Sequence, residues 1–225
     1  MDDKETEAAG ERHRVIAMDG PAASGKSVVG RRAAERLRIL FVSSGEMYRA
    51  AAWRAARAGI PWDVEAEVVA CVRSADLRLE QRDGWIRLLV DGQDPGEELH
   101  SAEVNRGVSQ VAKMPGIREI LLGLQRSCAR WGDLLMEGRD IGSVVFPETP
   151  YKFYLDASES ERARRREAQG QEDAVGERDR MDSERSVAPL CVAAGAIVID
   201  TTSMSIEEVL DELVRRLRQQ GFTSA

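Results

Sequence analysis

Gly20-Pro21-Ala22-Ala23-Ser24-Gly25-Lys26-Ser27 places two glycines, a lysine and a hydroxyl at the spacing G-x-x-x-x-G-K-[ST]. Those residue types suit one task. Glycines let the backbone curl around phosphate oxygens and aim its N–H groups inward. A helix opening at Val28 adds the positive end of its dipole. Lys26 is a compact charge able to reach the outer phosphates, and the Ser27 hydroxyl can sit on Mg²⁺. Two acids complete the inventory: Glu137 closes the apolar run Leu134-Leu135-Met136, where a metal-orienting carboxylate would stand, and Asp19 closes Val15-Ile16-Ala17-Met18. A strand-end or helix N-cap role is the alternative for either acid.

The surrounding elements must carry that loop. Val15–Met18, Ile39–Val42, Leu134–Met136, Lys152–Leu155 and Ala196–Ile199 are short apolar runs. Helical stretches at Val28–Arg38, Gly45–Ala58 and Ile206–Gln219 alternate with them. The last presents Ile206, Val209, Leu210, Leu213, Val214 and Leu217 on one face. Short buried strands alternating with helices predict a five-stranded parallel sheet covered on both faces. Ligands of such sheets bind beyond the carboxyl ends of the strands, which is where both acids fall. Residues 76–95 alternate polar and apolar residues about Asp83-Gly84, a hairpin signal, and predict a small antiparallel insert over about 63–103. Glu167–Glu177 is polar and glycine-containing and predicts an exposed loop.

The 225 residues suffice for one domain with an insert. Residues 1–13 are expected to form a loose acidic tail ahead of a domain over 14–225. The net charge of -7 argues against a nucleic-acid partner. No apolar run approaches the roughly 20 residues of a membrane span, and the polar N-terminus lacks the core of a signal peptide, so a cytoplasmic location is expected. Cys71, Cys128 and Cys191 have no metal or disulfide spacing and are expected to be buried small apolar residues. His13 and His100 are expected at the surface, and Trp53, Trp62, Trp85 and Trp131 in packing. Only four basic residues are Lys, the rest Arg, so Lys26 stands out as a residue used for its own chemistry.

Further motifs follow the strands: Ser43-Ser44-Gly45-Glu46-Met47-Tyr48-Arg49, Ser109-Gln110-Val111-Ala112 with Pro115 and Arg118, and Gly138-Arg139-Asp140-Ile141-Gly142-Ser143. Beyond the polar loop come Arg178-Asp179, Asp182, Arg185 and Ala188-Pro189-Leu190, then Ile199-Asp200-Thr201-Thr202. With the phosphate loop, this set resembles the bacterial cytidylate kinases from about Val15 to Leu217. The resemblance implies an α/β P-loop NTPase core with an acceptor-binding insert and a lid, here a short one at 167–177. It implies transfer of the γ-phosphoryl group of ATP, with Mg²⁺, onto CMP or dCMP; a monomer is expected because the terminal helix shows no obvious apolar patch. It implies that Gly20 to Val28 bind ATP, that Ser27 and Glu137 serve the metal, partly through water, and that Lys26, Arg139, Arg165, Arg178 and Arg185 are catalytic. Ser44, Ser109, Arg118 and Asp140 would read cytosine. Arg49 and Arg139 would hold the acceptor phosphate, Arg178 and Asp182 the sugar, and Arg185 with Arg165 and Arg166 would bring lid charge to the phosphates.

Elementary chemistry supports those roles. Phosphoryl transfer asks a protein mainly for positioning and charge stabilisation. Forked guanidiniums bring two mutually repelling phosphate groups together. Cytosine offers an amino donor beside a ring acceptor and a carbonyl, so an Asp and an Arg complement it, whereas uracil would turn a carbonyl toward Asp140. The alternatives are solvated or ion-paired surface arginines, and helix caps at Ser44 and Ser109. A UMP kinase of the same fold and a nucleotide-sensing switch without an acceptor pocket are the rival functions. Two departures from the family stand out: Ser43 occupies an expected Asp position, and the stretch between Arg166 and Arg178 is short, which would loosen lid closure.

Overall fold

The structure is a computed structural model and describes residues 13–168 and 190–223. Seven strands form one mixed sheet in the order β3-β4-β2-β5-β1-β6-β7. They are β1 (Val15–Asp19), β2 (Leu40–Ser43), β3 (Leu77–Arg82), β4 (Trp85–Val90), β5 (Leu134–Gly138), β6 (Tyr151–Asp156) and β7 (Ile197–Asp200). The five runs expected from the sequence are the parallel set β2-β5-β1-β6-β7. Because they are parallel, Asp19, Ser43, Gly138, Asp156 and Asp200 all end at the same edge of the sheet.

The sheet is larger than the five strands expected. The hairpin β3–β4 turns at Asp83 and Gly84, both with positive φ as a tight primed turn needs. It then joins the main sheet instead of forming a separate one. β4 lies parallel to β2, and Phe41 N donates to Gly84 O at 2.9 Å. The reason is its one-sided pattern. Ile86, Leu88 and Val90 are buried against the core, and Trp85 meets Phe41 edge-on at 5.2 Å. An apolar hairpin face must be covered, and the open edge of β2 lies nearest.

Among the described residues seven α-helices cover the sheet: α1 (Lys26–Leu37), α2 (Ser44–Arg57), α3 (Glu65–Ser74), α4 (Ala102–Val111), α5 (Pro115–Ser127), α6 (Glu159–Ala168) and α7 (Ile206–Gln219). Strand side chains alternate between two cores. Val15, Ala17, Val42, Leu134 and Met136 pack with residues of α2 to α5. Ile16, Met18, Phe41, Leu135, Phe153 and Leu155 pack with α1 and α7. Both faces being apolar explains why the central strands read as continuous hydrophobic runs.

Several expectations need correction. Ile206 is 41% exposed and lies off the buried face of α7, whose start is fixed by a capping box between Ser205 and Glu208. Of the cysteines only Cys128 is buried; Cys71 is half-buried and Cys191 exposed. Trp131 is 44% exposed, whereas Trp53 is buried and gives its indole N–H to Glu98. Ser44 is not the cap of α2: Ser43 is, accepting from Glu46 N, and Ser109 lies inside α4. The tail 1–12 and residues 169–177 of the expected lid lie outside the described residues, while Glu167 and Ala168 end α6.

Candidate active site

A cleft of about 330 Å³ opens at the carboxyl edge of the sheet. Ala22, Ala23, Gly25, Lys26, Ser27 and Val28 line one side. Gly20, Pro21 and Ser24 form the back of the same loop. Gly20 has φ +153°, and a Cβ there would stand 2.1 Å from the Leu155 carbonyl oxygen, so only glycine fits between β1 and β6. Gly25, in the left-handed region, precedes α1 and leaves the first-turn N–H groups of that helix without a side-chain cap.

Four successive carbonyls of the loop are held by side chains. Lys26 Nζ donates to Pro21 O at 2.9 Å, Arg162 Nη1 to Ala22 O at 3.4 Å, Arg165 Nη1 to Ala23 O at 3.4 Å and Thr201 Oγ1 to Ser24 O at 3.1 Å. With these carbonyls engaged, the loop's N–H groups are the donors it has to offer an anion, the chemistry of an anion nest. Neither Arg162 nor Thr201 stood out as a functional residue in the sequence. Thr201 belongs to the Ile199-Asp200-Thr201-Thr202 motif of the family resemblance and lies at a strand end, but neither signal gave it a role.

The other side of the cleft holds the acceptor motifs. Ser44, Arg49, Ser109, Glu137, Arg139 and Asp140 all line it, although they follow the loop's Ser27 by 17 to 113 residues. Arg49 Nη1 donates to Leu99 O at 2.9 Å and to Asn105 Oδ1 at 2.6 Å, which ties α2 to the segment entering α4. Arg118 does not line the cleft. It lies behind Asp140, paired with its carboxylate through Nη2, while Nη1 donates to Ala112 O at 3.3 Å. Both partners are buried, and the Tyr48 ring lies 5.7 Å from the guanidinium. A Cβ at Gly138 would come 2.5 Å from Ser44 Oγ and 2.7 Å from Ile141 Cδ1, so any larger residue there would have to displace both side chains.

The carboxylates have separate environments. Glu137 accepts from Ser43 Oγ at 2.5 Å, so the serine standing at an expected Asp position still makes the loop hydrogen bond, without a charge. Glu46, beside it, is pushed above the usual carboxylate range first by burial and then by Glu137. Asp19 does not line the cleft. Its two oxygens accept from Ile141 N and Gly142 N, each at 2.8 Å. Burial still lifts its carboxyl to about 6. His100 is exposed, as expected, yet borders the cleft; burial of its ring and the nearby Arg49 charge lower its basicity.

The expected lid arginines divide. Arg166 is buried and borders the cleft. Arg165 faces away: Nε donates to Glu161, Nη2 to Thr201 O at 2.7 Å and Nη1 to Thr201 Oγ1 and Ala23 O. Its donors are engaged in bracing the loop from behind. Arg178, Asp182 and Arg185 lie outside the described residues. A larger cavity, about 940 Å³, sits at the opposite edge of the sheet between Trp85, Trp131 and the end of α1. Arginines and carboxylates both line it, and the parallel strands β1, β2 and β5 meet it at their amino ends.

One cleft thus joins a phosphate nest to a second set of arginines and an Arg–Asp pair suited to a nitrogen base. A family model described as cytidylate kinase matches residues 16–219. The chain belongs to the cytidylate kinase family. It is 42% identical over 222 residues to the cytidylate kinase of Symbiobacterium thermophilum, covering 93% of this chain and 98% of that one. It is 41% identical to the Pelotomaculum thermopropionicum cytidylate kinase (90% and 95% of the two chains) and 38% identical to that of Geobacter sulfurreducens (95% and 96%). Cytidylate kinases are ATP-dependent phosphotransferases, and the cleft brings the phosphate-loop residues together with Arg49 and Arg139. Among the described residues no helix is long and apolar enough to cross a membrane.

Proposed function

We propose that the chain transfers the γ-phosphoryl group of ATP to CMP or dCMP, giving ADP and CDP or dCDP, as a cytoplasmic monomer. The observation that carries this reading is the opening of the phosphate nest and of the Asp140 carboxylate onto one cleft. The backbone N–H groups of residues 22–27 and the start of α1 hold the donor phosphates. Lys26 follows the migrating charge. Arg139, with Arg49 across the cleft, grips the acceptor phosphate and holds its oxygen in line with the donor. Arg166 supplies the described lid charge, and Arg165 acts by bracing the loop. Arg178, Asp182 and Arg185 are assigned, from the resemblance, to the sugar and the phosphates.

Base choice rests on buried pairing. Asp140, held by Arg118, accepts from the cytosine amino group, and Ser44 and Ser109 border the same wall. Uracil would leave a carbonyl against the carboxylate, and unpaired buried groups are costly. The protein's oxygen donors fit Mg²⁺. Ser27 and Glu137 offer a hydroxyl and a carboxylate in the cleft, and no group of three or more His, Cys, Asp or Glu forms a dedicated cage among the described residues. A small set of hard oxygens is what an ion completed by phosphate and water needs. When bound, the ion would neutralise charge on the phosphate oxygens.

A coupled ADP-release assay with CMP, dCMP, UMP and AMP, and a control lacking acceptor, tests the reading. Release confined to CMP and dCMP is expected. Equal rates with UMP would move the assignment to the UMP kinase alternative. Release independent of any acceptor would leave only the nest functional and favour a nucleotide switch.

A further inference from the structure

Asp140 stands at the N-cap position of a π-helical turn, Ile141–Val145. An Asp there ordinarily turns its carboxylate onto the exposed N–H groups of the turn it begins. This one makes no such bond. The amides of Ile141 and Gly142 are instead held from another element: Asp19, 122 residues away at the end of β1, takes one on each carboxylate oxygen. The far end of the turn is fastened too, because Arg126 donates to Val144 O and Val145 O. The turn is therefore capped without its own aspartate, and the Asp140 carboxylate is left to Arg118 and the cleft.

We propose that Asp19 is a positioning residue for acceptor choice: by capping the turn in place of Asp140, it keeps the Asp140 carboxylate aimed at the acceptor base. This rests on the assignment of Asp140 to the cytosine amino group. Asp19 also directly precedes Gly20, so the residue that aims the base reader is covalently joined to the phosphate loop. Donor and acceptor sites thereby share one reference point. Without the Asp19 acceptors, the nearest replacement for the two buried amides is the Asp140 side chain itself. A buried N–H without a partner is costly enough to pull it inward.

Asp19→Asn tests this with little change of shape. It keeps one oxygen and sets an amide NH₂ against the other N–H. The assay measures kcat and KM for CMP, UMP and ATP. The wild type is expected to prefer CMP, and Asp19→Asn to lower the CMP-to-UMP ratio of kcat/KM about tenfold or more, through the CMP KM, with the ATP KM within about twofold. A merely structural role would reduce the active fraction for both acceptors alike, so an unchanged ratio in Asp19→Asn overturns the proposal. A wild type without preference for CMP overturns instead the assignment of Asp140 on which it rests. Should the variant not fold, the wild type still decides. The Ile141 and Gly142 amide proton shifts must follow the titration of the Asp19 side chain, and amides that ignore it overturn the proposal.

Discussion

The Arg118–Asp140 pair allows stability and selectivity to be separated. Its side chains are 8% and 6% exposed, so each charge depends on the other for compensation. Among the described residues, Asp140→Ala would leave Arg118 with the Ala112 carbonyl and the Tyr48 ring. Removing one member of a buried pair costs about 3–5 kcal/mol, because the remaining charge is uncompensated. That is a large share of the roughly 5–15 kcal/mol that holds a domain folded. At about 2–4 °C per kcal/mol for a chain of this size, the melting temperature should fall roughly 6–20 °C. Arg118→Met alone should cost a similar amount. The double variant Arg118→Met/Asp140→Leu replaces the pair with apolar groups and should recover to within about 1–2 kcal/mol of wild type. All three variants should lose the preference for CMP over UMP. Urea unfolding and calorimetry measure the first effect, and acceptor-dependent ADP release the second. A single variant melting within about 2 °C of wild type, or a double variant no more stable than either single, would refute the reasoning.

Gly20→Ala should abolish ATP binding, measured with a fluorescent ATP analogue, because the obstructing Leu155 oxygen is backbone and cannot swing aside; binding near the wild-type level would show that the β1–β6 contact yields. Thr201→Val keeps the shape but removes the hydroxyl linking Arg165 to Ser24 O, and at about 1 kcal/mol for a net hydrogen bond the ATP KM should rise roughly fivefold while the CMP KM holds. Burial raises the folded-state value for Asp19 from 3.8 to about 6, so its contribution to stability is complete below about pH 4 and is lost as pH rises through 6. That component, roughly 3 kcal/mol, should be missing from Asp19→Asn in urea titrations between pH 4 and 7; a pH-independent difference from wild type would contradict it. Exposed Cys191 should react with a thiol reagent at pH 8 well before Cys128, whose thiol burial pushes to about 12; labelling in the reverse order would be inconsistent with these environments.

The phosphate loop was legible in the sequence because its function is local. Eight consecutive residues supply the nest, the lysine and the hydroxyl, and the apolar runs on either side announce a strand and a helix. The parallel strands were legible for a related reason. Burial on both faces leaves runs such as Leu134-Leu135-Met136 that belong to no other setting in a chain of this composition. The candidate acceptor residues could be listed from the family resemblance, and the structure brings Ser44, Arg49, Ser109, Glu137, Arg139 and Asp140 to one cleft.

Side-chain orientation was decided only by the tertiary structure. Arg165 and Arg166 are adjacent in an Arg-rich helix, and nothing local says which faces the cleft. The answer comes from Thr201, just past the end of β7 and 36 residues later. The hairpin showed an apolar face but not what covers it; the open edge of β2 settled that. Asp19 could be placed at a strand end, yet its task depended on where the turn after β5 presents two amides. Sequence patterns record which groups are available and which face is apolar, because those properties repeat along the chain. The partner that satisfies a buried donor or charge lies 22 residues away for Arg118 and 122 for Asp19, on another element brought near by the fold, and no local pattern encodes it.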